Sequence, residues 1–261
     1  MALKDKTYAD KVVWIIGASS GIGAALAKEL ASRGAIISLS ARRIQELESI
    51  KSSLSVAAHK IFPLDVCDAE AVIKTANAIH AHFGRIDSII FLAAAYKPMR
   101  LEALDVCDVR KIIETNLLSA FYVICAAVPL LKSQSYGQIA LCGSVAGYIG
   151  LPGGQPYSAT KAGVISLAES LRSELPQTID IKIINPGFIK TDLTAKNNFH
   201  MPMIITPRKA AIFIADGLLK KSFEIHFPKK FTFFLKLIQI LPYALSTKIT
   251  ALLNRKEESY T

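Results

Sequence analysis

The sequence contains few cysteines, and they are not arranged in pairs. Its 261 residues include four, at Cys67, Cys107, Cys125 and Cys142, without a Cys-x-x-Cys motif. Each lies in an apolar segment, which favours buried, reduced thiols in a reducing compartment over a disulfide framework. We predict no metal site.

Long apolar runs are also missing. No run reaches the ~18 apolar residues of a membrane-spanning helix. Residues 1–11 are charged where a signal peptide would be apolar. There is no internal repeat and no low-complexity tract. We therefore expect a cytoplasmic protein.

The composition is that of a globular protein with a large core. Apolar residues make up 51% of the chain and charged residues 20%, and this length fits one large domain or two small ones. The net charge of +10 makes an anionic partner plausible, whether nucleotide phosphate, acidic lipid or nucleic acid. Nucleic acid is the weakest of these, because no platform of interleaved basic and aromatic residues is present.

Short apolar runs alternate with helical patterns along most of the chain. Continuous apolar runs such as 12–16 and 86–93 are typical of strands buried on both faces in a parallel sheet. Helices are predicted at 69–83, 109–131, 157–175 and 207–219, the last with Thr206 as its cap. The seven predicted strands are 12–16, 35–40, 60–64, 86–93, 138–142, 180–184 and, at an edge, 222–227. The alternation predicts an α/β fold, a doubly wound parallel sheet of about seven strands with helices on both faces.

A glycine-rich turn joins the first strand to the first helix. It contains Gly17, Gly21 and Gly23, and glycines so placed let backbone N–H groups approach a pyrophosphate at a helix N-terminus. The alternative is a strand-to-helix turn that binds nothing. Its position between a buried strand and a helix favours dinucleotide binding.

The second strand ends in Ala41-Arg42-Arg43. Enzymes that use NAD usually carry an acidic residue here to hold the ribose 2′-hydroxyl, whereas a guanidinium fits a 2′-phosphate. The alternative is two solvated arginines at the start of the next helix. We predict NADP rather than NAD.

Tyr157 and Lys161 lie one turn apart at the start of a predicted helix, after a loop rich in glycine and proline. A nearby ammonium favours the charged form of a phenol, and a Tyr so tuned can exchange a proton with a substrate oxygen. Taken alone, the pair is a common helical spacing. Its weight comes from the other motifs.

Those motifs follow one another in a familiar order. Gly17-x-x-x-Gly21-x-Gly23, Asn116, Ser144, Tyr157-x-x-x-Lys161 and Pro186-Gly187-x-x-x-Thr191 together resemble a short-chain dehydrogenase/reductase of the single-domain type. The resemblance covers roughly residues 11–228. It implies a Rossmann fold, an NAD(P) cofactor and a small carbonyl or alcohol substrate, and it is typical of homo-oligomers, dimers or tetramers.

The resemblance also implies roles for single residues. Tyr157 would be the catalytic acid/base, and Lys161 would lower its pKa and hold the ribose hydroxyls. Ser144 would bind the substrate oxygen, and Asn116 would support a water chain to Lys161. Asn116, Ser144 and a third residue, Thr191, have ordinary structural alternatives as a capping residue, a strand-end hydroxyl and a helix cap. Together with the two arginines, the implied cofactor-binding residues are Gly17, Ser19, Ser20, Gly21, Ile22, Gly23, Arg42, Arg43, Asp65, Val66, Ala93, Tyr157, Lys161, Pro186, Gly187, Ile189 and Thr191.

The sequence departs from the family's pattern at two places. Ile16 precedes the first glycine where the family usually has Thr, and Phe91-Leu92-Ala93-Ala94 follows the fourth strand where Asn-Asn-Ala-Gly is usual. Both exchange polar side chains for apolar ones. We expect them to change how the backbone near the cofactor is held rather than the chemistry.

The carboxyl-terminal region carries apolar stripes and much of the charge. We divide the chain into a catalytic domain, 1–228, and a basic, amphipathic helical extension, 229–261. From Leu218 onward there are eight Lys or Arg and three Glu. The first stripe is predicted to hold Phe231, Phe234, Leu235 and Ile238 on one face, opposite Thr232, Lys236 and Gln239; the second holds Leu245, Ile249, Leu252 and Leu253.

Two arrangements of this extension stay open. It could lie on an anionic membrane surface through residues 229–256, or it could pack on the body or across a subunit interface. The loop 193–205, with Phe199, Met201 and Met203, is the substrate lid by analogy and suits an apolar substrate; His200 is expected to be an ordinary loop residue.

The sequence thus predicts an NADP(H)-dependent oxidoreductase that interconverts a carbonyl and a secondary alcohol, acting as the reductase of an apolar or lipid-like substrate. One alternative keeps the chemistry but runs it oxidatively. Another is a cofactor-binding regulatory protein with the same fold. Ser144, Tyr157 and Lys161 argue against the last.

Overall fold

The structure, a computed structural model, describes residues 7–55, 58–199 and 201–258, those after Ala251 by their backbone alone. His200 and the side chains of Leu252 and Leu253, for which the sequence made predictions, lie outside this description.

Seven parallel strands form one sheet. In order across the sheet they are β3, β2, β1, β4, β5, β6 and β7. After β3 the chain crosses to the other side of β1, so the point where the strand order switches lies between β1 and β4. This is the predicted doubly wound fold, and every residue of β1 and β4 is buried, as their apolar runs indicated. The strands are β1 Val12–Ile16, β2 Ile36–Ser40, β3 Lys60–Ile61, β4 Ser88–Phe91, β5 Gly137–Cys142, β6 Ile179–Pro186 and β7 Glu224–Phe227.

Helices cover both faces of the sheet. One apolar layer includes Leu26, Ile37 and Ile214, and the other includes Trp14, Val123 and other residues from α3, α5 and α6. The helices are α1 Gly21–Ser32, α2 Ile44–Ser52, α3 Ala69–Phe83, α4 Val106–Ile113, α5 Ser119–Gln134, α6 Tyr157–Glu174, α7 Pro207–Leu218, α8 Lys229–Gln239 and α9 Tyr243–Glu258.

Several strands differ from the prediction at their ends, such as the fourth, which spans 88–91 rather than 86–93, and two elements differ more. The third strand ends at Ile61 because Pro63 has no N–H to donate, although the N–H groups of Phe62 and Leu64 still pair with β2 and its end. The single helix predicted at 109–131 is two helices joined by a π-helical turn, Glu114–Leu118. This turn places Asn116 in the interior.

The joined helical stretch Val106–Gln134 is long and apolar enough to cross a membrane by length and composition. Such stretches also occur as core helices. Val123, Ala127 and Leu131 of α5 are buried in the layer that covers the sheet, so one face of the stretch belongs to the protein core.

The cysteines are free thiols, but they are not all buried as predicted. Cys142 is buried and Cys67 partly buried, whereas Cys107 and Cys125 are exposed. The prediction is wrong for these two because α4 and α5 turn them outward. An apolar neighbourhood in sequence does not fix which face of a helix a residue occupies.

The predicted faces of α8 are correct only in part. Leu235 and Ile238 are buried as predicted, but Phe234 is exposed and Thr232 is buried. The Thr232 hydroxyl hydrogen-bonds His226, and Lys236 pairs with Glu224. Partners on β7 thus turn two polar residues of α8 toward the body.

Candidate active site

A cleft of about 340 Å³ opens beyond the carboxyl ends of the strands, where ligands bind in folds of this kind. Every residue that the sequence assigned to the cofactor lies along it. The lining includes Gly17, Ser19, Ser20, Gly21, Ile22, Gly23, Arg42, Arg43, Asp65, Val66, Ala93, Tyr157, Lys161, Pro186, Gly187, Ile189 and Thr191. Ser144 lines it too, whereas Asn116 is fully buried behind the wall.

The glycine turn owes its shape to two close approaches. Gly17 has a φ of +92°, and a Cβ there would lie 2.7 Å from the backbone nitrogen of Ala93. A Cβ at Gly23 would lie 2.1 Å from the carbonyl oxygen of Gly17. A side chain at either position would force the backbone apart, and the N-terminus of α1 would no longer face the cleft.

The two departures from the family pattern are accommodated by backbone contacts. Ile16 and Phe91 are fully buried in the core, and the N–H of Leu92 donates to the carbonyl of Ile16 at 2.8 Å. The N–H of Gly17 donates to the carbonyl of Ser40 at 2.8 Å. Main-chain hydrogen bonds and packing therefore hold this region without the usual polar side chains.

The two arginines border the nucleotide end of the cleft. Arg43 donates to the hydroxyls of Ser19 and Ser20, at 3.0 and 2.8 Å, and so is tied to the glycine turn. The Arg42 guanidinium lies 4.0 Å from the carboxylate of Asp65 and is largely exposed. Both guanidinium groups are therefore available to an anion bound beside the turn.

The predicted catalytic side chains come from two elements at the other end. Ser144 follows β5, and its hydroxyl accepts a hydrogen bond from the N–H of Ala146 at 3.1 Å. Tyr157 is the first residue of α6. The Lys161 ammonium is buried, donates to the carbonyl of Cys142 at 2.7 Å, and lies 5.5 Å from the centre of the Tyr157 ring.

The surroundings keep Tyr157 protonated. Burial raises the pKa of Tyr157, the neighbouring Cys142 adds to this, and the hydrogen bond with Ser144 opposes it. Burial also lowers the pKa of Lys161. The expected lowering of the Tyr157 pKa by Lys161 is not seen: the pKa is raised, and desolvation is the largest cause. A neutral phenol is able to donate a proton.

Asn116 uses its amide to hold the chain beside the cleft. Its Oδ1 accepts from the N–H of Ala95 at 2.6 Å, and its Nδ2 donates to the carbonyl of the same residue at 2.9 Å. Nδ2 also donates to the Thr160 hydroxyl at 3.2 Å, next to Lys161. The π-helical turn orients the Asn116 side chain toward partners outside its own helix. Such turns are frequent at functional sites.

Sequence reasoning missed Tyr96. Its ring packs edge-to-face on Tyr157, with centres 5.0 Å apart, and its hydroxyl donates to Asn197 of the loop 193–205 at 2.7 Å. Lys196 of the same loop donates to the carbonyl of Tyr96 at 2.8 Å. Its place shortly after the fourth strand, at the ligand-binding edge of the sheet, was the only available signal.

Other lining residues were missed as well. They come from positions next to predicted ones or from the start of the loop: Ala41, Leu64, Cys67, Leu92, Ala94, Thr115, Cys142, Gly143, Asp192, Leu193 and Thr194. Proximity along the chain could have found most of them. Thr115 depends on the π-helical turn, which the sequence did not reveal.

Comparison with known proteins agrees with this geometry. A family model described as short chain dehydrogenase matches residues 11–201. An uncharacterized oxidoreductase of Myxococcus xanthus is 32% identical over 231 residues, which cover 87% of this chain and 91% of that protein. The 11-beta-hydroxysteroid dehydrogenase A of Arachis hypogaea is 36% identical over 196 residues, covering 74% of this chain and 56% of that protein.

A solved structure shares the fold. A short-chain type dehydrogenase/reductase from Mycobacterium ulcerans superposes with a TM-score of 0.77, covering 85% of this chain and 89% of its own at 20% identity. The matched family model and the M. xanthus relative reach beyond the fold, since they span most of the sequence. The chain therefore belongs to the short-chain dehydrogenase/reductase family and is an oxidoreductase.

Proposed function

We propose that the protein is an NADP(H)-dependent reductase that converts an apolar or lipid-like ketone or aldehyde into an alcohol. The main support is that a single cleft has Ser144, Lys161 and a protonated Tyr157 at one end. Arg42 and Arg43 lie at its other end.

The chemistry assigned to the chain is proton donation and charge stabilisation. When bound, a nicotinamide cofactor supplies the hydride. Ser144 and Tyr157 donate hydrogen bonds to the substrate oxygen, where negative charge develops, and Tyr157 then gives up its proton. Lys161 would hold the ribose hydroxyls, while Asn116 fixes the backbone of Ala95 and supports a water chain to Lys161.

Cofactor choice follows from the charge at the nucleotide end. A 2′-phosphate beside the glycine turn is met by two guanidinium groups, one already held by Ser19 and Ser20. A guanidinium binds a phosphate through several charge-assisted hydrogen bonds, whereas a 2′-hydroxyl gains little from it. The cofactor is therefore NADP(H), with NAD(H) bound more weakly.

An apolar substrate is supported by the residues around the lid. Phe188, directly after Gly187 of the cleft, packs on Phe199 of the loop 193–205, with ring centres 5.8 Å apart. On its other side it packs on Phe231 of α8, at 5.6 Å. The Arachis relative is named for a hydroxysteroid, a substrate of this class.

The experiment is a screen of ketones and aldehydes of graded chain length with NADPH and with NADH. The proposal expects turnover to rise with the apolar size of the carbonyl compound and to be faster with NADPH at low cofactor concentration. Turnover only of alcohols with NADP⁺, at every pH, would favour the oxidative alternative. Tight NADPH binding without turnover of any compound would favour a regulatory protein.

The proposal places the protein in the cytoplasm, at the surface of an anionic membrane. Phe233, Leu237 and Ile240 form the outward side of α8 and are 60%, 58% and 78% exposed. Lys229 and Lys230 lie one turn before the exposed pair Phe233 and Phe234, at one end of this apolar face. An apolar face with lysines at its edge suits a bilayer with anionic headgroups.

The proposal keeps the catalytic domain at 1–228 and treats 229–261 as an appended helical unit with two different sides. Its inward side packs on the body, and its outward side is the one that would contact the membrane.

A homo-oligomer, a dimer or tetramer, is proposed through a separate apolar surface on α4 and α5, where Val106, Ile113 and Phe121 are exposed. Light scattering during gel filtration measures that assembly.

A further inference from the structure

Helix α8 packs against the loop that carries Ser144. A turn of 3₁₀-helix, Val145–Gly147, follows Ser144, and Tyr148 ends it. Val145 and Tyr148 are buried together with Leu235 and Ile238 of α8. The inward side of α8 therefore forms the wall behind this loop.

A polar cluster joins the same two elements more specifically. The carboxylate of Glu224, in β7, accepts hydrogen bonds from the Tyr148 hydroxyl and from the Lys236 ammonium. It also accepts one from the side-chain amide of Asn185 at 2.8 Å, and Asn185 directly precedes Pro186 of the cleft. The Lys236 ammonium lies 5.5 Å from the centre of the Tyr148 ring. One carboxylate thus connects the Ser144 loop, the end of β6 and α8.

The charge of Glu224 makes the stability of the cluster depend on each hydrogen-bond donor around it. Burial tends to raise the pKa of Glu224, but hydrogen bonds from Lys236, Tyr148 and Asn185 outweigh it and hold the pKa below its ordinary value. The group is therefore a carboxylate away from bulk water. Removing Lys236 leaves that charge without its counterion, and removing the Tyr148 hydroxyl leaves it one donor short.

We propose that Tyr148, Glu224 and Lys236 are positioning residues for Ser144, so that α8 helps to set the geometry of the active site. The inference rests on the proposed function in that it takes Ser144 to hold the substrate oxygen. A shift of the loop moves the Ser144 hydroxyl away from the hydrogen bond it shares with Tyr157, and an error of about 1 Å can cost ~10²-fold in rate. The glycine turn and the two arginines lie at the other end of the cleft, so most of the binding energy for NADPH is expected to persist.

The test compares Lys236→Met and Tyr148→Phe with a control, Lys221→Met, whose side chain is exposed and outside the cluster. The two cluster variants should lower kcat by about tenfold or more, with little change in the Kd for NADPH. Combining them should cost little more than the worse single change, because both break the same cluster. Lys236→Arg should recover most of the loss, and Lys221→Met should match the wild type.

A second readout does not need turnover. Amide hydrogen exchange of the peptide covering residues 143–150 should speed up in Lys236→Met and Tyr148→Phe, and not in Lys221→Met. Unchanged exchange in this peptide overturns the positioning role without any measurement of turnover. A lower melting temperature with wild-type kcat overturns it as well, since the residues would then be structural only. Failure of the wild type to reduce any carbonyl speaks against the proposed function instead, while the exchange result still decides this inference.

Discussion

The two ends of the cleft are built in different ways. At the nucleotide end the cleft is shaped mainly by backbone, because Gly23 permits a close approach to Gly17, and Gly17 a close approach to Ala93. At the catalytic end the side chains of Ser144 and Tyr157 come from separate elements, and the cluster around Glu224 ties the loop of Ser144 to a helix that begins at Lys229.

This difference separates binding from chemistry. The glycine turn is one short segment of sequence, although Gly17 also contacts Ser40 and Ala93 from other segments. The catalytic end relies more on side chains from separate elements, such as Tyr148 and Glu224, which are 76 positions apart. We therefore expect changes at the first end to alter cofactor affinity, and changes at the second to alter the rate of the chemical step or the stability of α8.

The largest effect is expected for Tyr157→Phe. The variant keeps the ring that packs on Tyr96 but loses the proton donor, so kcat should fall by about 10²–10⁴-fold. NADPH binding, measured by fluorescence titration, should stay close to that of the wild type. Tyr136→Phe, at an exposed tyrosine outside the cleft, is the matched control. Full activity of Tyr157→Phe with a good substrate would remove this residue from the mechanism.

A matched pair on α8 tests which side packs on the body. Leu235→Ala removes a buried side chain and should lower the free energy of unfolding by about 2–5 kcal/mol. Leu237→Ala, two positions on and exposed, should change it by less than about 0.5 kcal/mol. Chemical denaturation of both variants measures the difference. Equal losses would mean that the outward side is covered, as it would be in a subunit interface.

The nucleotide end is tested by Arg42→Ala and Arg43→Ala. Each removes a charge-assisted contact to the 2′-phosphate, worth about 1.5–3 kcal/mol, and should raise the Kd for NADPH about ten- to a hundredfold. The Kd for NADH should barely move, and Arg110→Ala on α4 serves as a control for the loss of one positive charge. A wild-type protein that binds NADH more tightly than NADPH contradicts the assignment.

The smallest effect is expected for the membrane surface. Lys230→Ala should weaken binding to anionic vesicles by about 1 kcal/mol, or several-fold, because a lysine near such a surface contributes about that much. Added salt should weaken binding of the intact protein in the same direction. Leu237→Ala should weaken it in both low and high salt, and Leu235→Ala should not. Intact protein that stays in the supernatant with anionic vesicles at low salt would end the membrane proposal.

The same comparison of the two ends shows how far the sequence alone determines this protein. Most strand positions and the glycine turn could be predicted because their signals are short-range: a buried strand needs a continuous apolar run, and a tight turn needs glycine at fixed spacings. The pair Tyr157 and Lys161 was visible for the same reason, since one helical turn separates them. Their protonation states were not predicted, because they depend on burial among residues distant in sequence.

The orientation of α8 was decided only by tertiary structure. Its sequence places apolar residues on more than one side, so periodicity allowed several rotations about the helix axis. Glu224 and His226 on β7 select one of them by pairing with Lys236 and Thr232. The pairing turns two polar residues inward and leaves Phe234 outside. A pattern along one helix carries no information about polar partners on another element. Here those partners select the rotation of α8, in which Leu235 and Ile238 of the apolar stripe stay buried.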